Sequence, residues 1–235
     1  SNYRLYNNQL TGAFHLEGIA KDDKISGKLD FTNVQIDSVY FSSIKGDYEY
    51  VNDIITSDNI KIISENFSGE VKVHSFTNNT KYDLSGHINI NKFSDNNTLS
   101  NYHLDSLSGK FEFQIKKNIN ASNISVQINI EDGLLVDKYF SEFNIQINGE
   151  IINDKYTGDL TGSLHGWNYG PYYWDSIYYQ INYSDYDTSF YSIRSFSADG
   201  DTLEFNGTRT SDGNYNLSNF TGVIKKSRLY VQPFF

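Results

Sequence analysis

Five histidines, His15, His74, His87, His103 and His165, are the side chains best suited to bind a metal or pass a proton. None stands at ligand spacing from another, and no His-Glu-x-x-His run occurs. They read as polar strand positions. Asp185 with Asp187, and Asp199 with Asp201 around Gly200, offer carboxylates to calcium, but neither pair builds an oxygen cage, and both read as turn residues. Among 29 acidic residues no two are marked as a facing pair of the kind glycoside hydrolysis needs. There is no Gly-x-Ser-x-Gly elbow and no glycine loop to cradle phosphate. Without cysteine there is no thiol nucleophile, thiolate zinc site or disulfide. The chain reads as a non-enzyme, with no catalytic residue, metal site or cofactor.

The densest chemical feature is aromatic. Between Trp167 and Tyr191 lie Trp167, Tyr169, Tyr172, Tyr173, Trp174, Tyr178, Tyr179, Tyr183 and others. Such rings pair across strands and stiffen a sheet, line an interface or lipid-headgroup belt, or stack on sugars. Gly166 and Gly170-Pro171 interrupt the run and point to a loop or bulge. Asn-x-Ser/Thr sequons at Asn66, Asn78, Asn120, Asn123, Asn206, Asn216 and Asn219 matter only in a glycosylating compartment.

Strands must position these residues. Alanine occurs four times in 235 residues, against 19 tyrosines and 16 phenylalanines. Aromatic and β-branched side chains favour pleated surfaces. Alternation of apolar and polar residues recurs along the chain, most cleanly in Ile124-Ser125-Val126-Gln127-Ile128-Asn129-Ile130 and Phe143-Asn144-Ile145-Gln146-Ile147. This period marks half-buried antiparallel strands. Turn signals separate the runs at Asp22-Asp23, Asn78-Asn79, Asp95-Asn96-Asn97, Glu131-Asp132-Gly133, Asn153-Asp154, Asp199-Gly200 and Asp212-Gly213-Asn214. Their spacing predicts a meander of roughly thirteen to sixteen strands. No composition shift divides the chain, which reads as a single continuous all-β segment, 1–235, excised from a longer protein. The net charge of -10 and the absence of a basic cluster argue against nucleic acid.

A degenerate repeat runs through the alternation: a small polar residue, glycine, any residue, then an apolar one. It occurs at Ser26-Gly27-Lys28-Leu29, Ser68-Gly69-Glu70-Val71, Ser85-Gly86-His87-Ile88, Ser108-Gly109-Lys110-Phe111, Asn148-Gly149-Glu150-Ile151 and Thr161-Gly162-Ser163-Leu164. Looser copies stand at Asn206-Gly207 and Thr221-Gly222. The stretch from Gly27 to Tyr48, with Asp37-Ser38-Val39-Tyr40-Phe41, parallels that from Gly162 to Tyr186, with Asp175-Ser176-Ile177-Tyr178-Tyr179. Hairpin units stacked in this way bury a face only against their neighbours.

In this cadence, residues 26–50 resemble the AsmA/TamB-like family, and residues 161–186 and 206–224 echo it. The resemblance implies a long antiparallel sheet of repeated hairpins folded lengthwise into a taco-like groove, apolar inside and polar outside. It implies a periplasmic place in the bacterial cell envelope, with anchoring through segments outside this chain. The implied partners are phospholipid acyl chains, and an outer-membrane barrel partner in outer-membrane biogenesis. The implied role is intermembrane lipid transport or that biogenesis. No fixed motif defines the family, so no functional residue carries over from it.

An open apolar face needs a cover, and acyl chains supply one at about 0.8 kcal/mol per buried methylene. The alternation assigns to that face Leu29, Phe31, Val71, Val73, Ile88, Ile90, Phe111, Phe113, Ile115, Val126, Ile128, Ile130, Ile145 and Ile147. The alternative is a closed β-sandwich or β-solenoid at a bacterial surface. It would bind protein or glycan through an aromatic patch of Trp167, Tyr169, Tyr172, Tyr173, Trp174 and Tyr178.

Overall fold

The computed structural model describes residues 2–5, 8–36, 39–76, 81–93, 104–135, 138–153, 155–169, 172–185, 189–197, 200–210 and 212–223. These residues form strands and the turns between them. The strands are β1 (Asn2–Leu5), β2 (Asn8–Lys21), β3 (Lys24–Ile36), β4 (Val39–Val51), β5 (Ile54–Ile63), β6 (Phe67–Phe76), β7 (Tyr82–Phe93), β8 (Leu104–Lys117), β9 (Ala121–Leu135), β10 (Lys138–Phe140), β11 (Glu142–Ile152), β12 (Lys155–Tyr169), β13 (Tyr172–Ser184), β14 (Ser189–Phe196), β15 (Thr202–Arg209) and β16 (Tyr215–Val223). They pair in chain order into one antiparallel sheet; β10 alone leaves the path, as a short side piece on β9. The sheet is not closed into a barrel, because β1 and β16 stand at its two ends.

Tight turns of the expected chemistry join the strands. Asp22 (φ 56) and Asn153 (φ 49) adopt the left-handed conformation that two-residue hairpins demand, and Gly200 (φ 82) and Gly213 (φ 89) adopt it in the longer turns closed by Ser197 with Asp201 and Thr210 with Asn214. So do Asn52 (φ 49) and Asp53 (φ 62) between β4 and β5, a turn outside those expected from the sequence. The turns expected at Asn78-Asn79 and Asp95-Asn96-Asn97 lie outside the described residues. Glu131-Asp132-Gly133 is no turn: it lies inside β9, where the β8–β9 register slips around Asp132. Its turn-prone residues make an irregularity in a long strand, and Gly133 then pairs with Phe140 of β10.

The sheet has almost no interior. The chain exposes 15501 Å², where a compact monomer of this mass exposes about 11,000 Å². Among the described residues the buried hydrophobics are Val34, Val71, Ile130, Phe140 and Leu164. Three of them, Ile130, Phe140 and Leu164, form one cluster with Ile128, Phe143, Trp167 and Ile177 against it.

The glycine repeat has a structural meaning. Every glycine of the motif falls on the face that carries the large apolar side chains. Three tyrosines exploit the space. Tyr48 of β4 pairs with Gly27 of β3, and its hydroxyl donates to the Glu17 carbonyl on β2 (3.4 Å). Tyr179 of β13 pairs with Gly162 of β12 and donates to the Asn144 carbonyl on β11 (2.6 Å). Tyr191 of β14 pairs with Gly207 of β15 and donates to the Asn216 carbonyl on β16 (3.5 Å). Each ring lies across a strand that has no side chain at that position and latches onto the strand beyond. The parallel between residues 27–48 and 162–186 is therefore one of tyrosine over glycine. Of the two Asp-Ser segments, Asp175 and Ser176 lie within β13, while Asp37 and Ser38 lie outside the described residues.

A methyl group at Gly162 would strike the Asn144 carbonyl oxygen and the Tyr179 hydroxyl. At Gly222 the nearest atom to an added methyl is the Thr202 carbonyl oxygen at 3.5 Å. Gly162→Ala should lower stability by about 1–3 kcal/mol through overpacking, and Gly222→Ala should stay within about 0.5 kcal/mol. Urea midpoints of the two variants against the parent test this; equal midpoints would refute the latch.

Candidate functional site

Register carries one residue row across the sheet from β2 to β16. Its members are Phe14, Phe31, Ile44, Ile62, Gly69, Ile88, Phe111, Ile128, Ile145, Gly162, Tyr179, Ile193, Phe205 and Phe220. Each is directly opposite the next, so all point to the same side of the pleat. At the usual strand spacing the row is about 60 Å long. Parallel rows flank it: Val71, Gly86, Phe113, Val126, Ile147, Leu160 and Ile181 on one side, and Phe67, Ile90, Gly109, Ile130, Phe143, Leu164 and Ile177 on the other. Val73, Leu84, Ile115 and Ile124 form a further row.

Thirteen of the fourteen residues assigned to the apolar face from alternation, from Phe31 to Ile145 and Ile147, lie in these rows, and Leu29 shares the side of Phe31 on β3. Leu29 stands opposite Leu16 and Gly46 in β2 and β4. Apart from Val71 and Ile130, the fourteen are only partly buried, since they touch lateral neighbours but no second layer among the described residues.

The opposite face is mostly polar, with exposed apolar residues such as Ile63, Phe190 and Phe196 among its polar rows. Glu70, His87, Glu112, Gln127, Gln146, Thr161, Gln180, Ser192, Asn206 and Asn219 run along one of its rows. Exposed ion pairs ornament it: Lys45 with Asp30 (3.0 Å), Lys116 with Asp83 (3.4 Å) and Arg194 with Glu204 (3.4 Å), each between register partners. Exposed pairs of this kind each contribute less than about 1 kcal/mol. A recess of about 830 Å³ on this side, over β2–β5, lies between Glu17, Lys28, Asp47, Glu49 and Thr56 and opens beside the Asp58-Asn59 bulge. On the apolar face a recess of about 370 Å³ is lined by Ile147, Tyr156, Gly158, Leu160, Ile181 and Tyr183.

Two left-handed residues shift the alternation at the margins. In β12 strict alternation from Leu164 would send Trp167 to the polar side. Gly166 (φ 64) resets the phase, and Trp167 packs on the Ile130–Phe140–Leu164 cluster opposite Trp174. In β3 Asn33 (φ 53) does the same for Val34, which is 1% exposed. The Tyr40 hydroxyl donates to Asn33 Oδ1 (2.7 Å), and Phe41, the partner of Val34, meets the ring of Phe67 at 5.5 Å.

The described side chains of the aromatic patch expected from Trp167 to Tyr178 do not share one surface. Trp167 and Trp174 are half-buried at the apolar margin, while Tyr178 is exposed on the polar face with Phe196 (6.1 Å, edge-on) and His165 (5.9 Å, edge-on). Tyr173 is exposed, and the side chains of Tyr169 and Tyr172 lie outside the described residues. His165 Nδ1 and Nε2 engage the hydroxyls of Ser176 (3.1 Å) and Ser163 (3.0 Å), a polar strand position as expected. Among the described residues no cluster of His, Asp and Glu could hold a metal ion. Asp187, Asp199 and His103 lie outside them. Among the described residues no helix is long and apolar enough to cross a membrane.

No protein-family model, curated protein or solved structure matches the chain.

Burial pushes the Tyr179 hydroxyl up to about 12. In the unfolded chain a tyrosine titrates near 10. The folded state therefore keeps a proton that the unfolded state loses between about pH 10 and about 12, and stability falls as pH rises across that window. Tyr179→Phe should remove this share of the alkaline loss while costing about 0.5–1.5 kcal/mol below pH 10 for the lost bond to Asn144. Denaturation midpoints of parent and variant from pH 8 to 12 test it. A constant gap across that range would show that the hydroxyl is not protected.

Proposed function

We propose that this sheet is a segment of a bacterial envelope protein, related to the AsmA/TamB group, that shields phospholipid acyl chains along its apolar face. In this reading the sheet folds lengthwise into a taco-like groove and serves intermembrane lipid transport or outer-membrane biogenesis. The observation that carries it is the unbroken apolar register from Phe14 to Phe220, with no second layer over it among the described residues. An apolar surface of this length exceeds what soluble monomers leave wet. The cover it calls for is non-directional, because the rows offer almost no polar group that a protein partner could read. Acyl chains meet that demand and gain about 0.8 kcal/mol per methylene buried. Glycines in the apolar rows thin that face and make room for curvature toward it. Nothing is chemically transformed in this account.

A second reading draws on the polar face. Tyr178 and Phe196, exposed beside the Arg194–Glu204 pair, offer ring faces and hydrogen-bonding groups together, as a surface β-domain that binds glycan or protein would.

Lipid extraction and mass spectrometry on the segment purified from a bacterial envelope separate the two. The expected result is phospholipid at one or more per chain, reduced about tenfold in Ile128→Asp, because an ionised carboxylate at mid-row is costly to bury against hydrocarbon. Ile128 is only half-buried, so the variant should keep its β-sheet circular dichroism. A lipid-free parent, or an Ile128→Asp variant that retains its lipid, would remove the shielding role.

A further inference from the structure

Basic side chains are divided between the faces with a marked bias. Lys45, Lys61, Lys72, Lys110, Lys116 and Arg194 all occupy polar rows. Among strand residues with described side chains, only Lys117 and Arg209 occupy apolar ones. Both sit at the margin where the β8–β9 and β15–β16 hairpins turn, and both lie over tyrosine: Lys117 Nζ is 5.8 Å from the Tyr82 ring. The Arg209 surroundings are the richer. Tyr183, Ser189, Arg209 and Tyr215 follow one another along β13–β16, with Ser189 paired to Arg209 and Arg209 to Tyr215. Ser189 is small, and the guanidinium reaches across it to stand 5.8 Å from the Tyr183 ring and 5.9 Å from the Tyr215 ring.

An acid completes the group. Asp185 accepts the Tyr183 hydroxyl at Oδ1 (2.5 Å) and the Tyr156 amide at Oδ2 (2.9 Å). Those two bonds, with the nearby Arg209, hold its carboxyl below the usual range, so it is ionised at neutral pH. Asp185 and Arg209 are each only partly buried and open to a ligand. The apolar recess between Ile147, Leu160 and Ile181 ends at Tyr156 and Tyr183, beside these charges. A hydrocarbon recess thus leads to a cation, an anion and tyrosine rings in one place.

We propose that this margin seats a zwitterionic phospholipid headgroup, with its phosphate on Arg209, its ammonium on Asp185 and an acyl chain in the adjoining recess. The site rests on the acyl-shielding reading and adds to it a place and an orientation for the headgroup. Arginine matches phosphate oxygens through paired donors, and tyrosine rings together with a carboxylate suit an ammonium.

The test loads purified protein from vesicles containing phosphatidylethanolamine, phosphatidylglycerol or diacylglycerol and measures bound lipid by mass spectrometry. The parent should take phosphatidylethanolamine about tenfold over diacylglycerol, the order of one charge-assisted contact. Arg209→Gln should lose that preference for both phospholipids, and Arg209→Lys should restore part of it. Asp185→Asn should lower phosphatidylethanolamine and spare phosphatidylglycerol. Arg194→Gln, on the polar face, should behave as the parent. Equal uptake of phosphatidylethanolamine and diacylglycerol, or an Arg209→Gln variant with the parent's preference, would overturn the headgroup site and leave acyl shielding in place. Failure to take up lipid of any class would overturn both.

Discussion

A sheet one layer thick satisfies its backbone hydrogen bonds laterally, but it cannot hide its own apolar face. Everything else in this molecule follows from that constraint. Between β2 and β16 almost every strand bonds to two neighbours, so the backbone is well served whatever happens above and below the pleat. The side chains are not. Phe31, Ile88, Ile128 and Ile145 gain what burial they have from the residues beside them in the row, and that leaves them half-covered. Conformational entropy must still be offset, and a globular core is not there to offset it. The tyrosine latches answer part of this need. Tyr48 and Tyr179 each tie together three strands through one ring and one hydroxyl, which lateral backbone bonding alone cannot do.

Much of this was legible in the sequence because the signal is periodic and local. Alternation assigned fourteen residues to one face, and register places all fourteen there, since a hairpin meander keeps phase from strand to strand as long as its turns are tight. The glycine motif was legible as a repeat but not in its purpose. That Gly162 makes room for Tyr179 depends on which strands become neighbours, and no local pattern states it. The departures share one cause. Asn33 and Gly166 turn left-handed within strands and shift the phase, so Trp167 and Val34 end up on the side opposite to the one that counting by twos assigns. Conversely, Glu131-Asp132-Gly133 has the composition of a turn, but β9 continues through it as a strand. Composition gives the local preference, and the pairing of the neighbouring strands decides whether it becomes a hairpin or a bulge.

The charged margin shows what a face-by-face reading misses. In sequence Arg209 is one charge among many, and Asp185 reads, with Asp187, as a turn residue. Their meaning comes from the side of the pleat they share with Ile181 and Tyr183, while Arg194 and Glu204, paired with each other five residues along β14 and β15 from the Ser189–Arg209 pair, face the other way. The net charge of -10 is likewise uneven in its consequences. On the polar face acids and bases pair and remain hydrated, which keeps a long sheet from stacking on its own kind. On the apolar face a charge survives only where the hydrocarbon rows give way to water. Lys117 and Arg209 stand at that boundary, each with its alkyl stem over the sheet and its head against tyrosine. A surface that were simply waiting for another sheet would gain nothing from cations at one margin alone. An amphipathic cover, apolar along its length and charged at one end, matches both features with a single ligand.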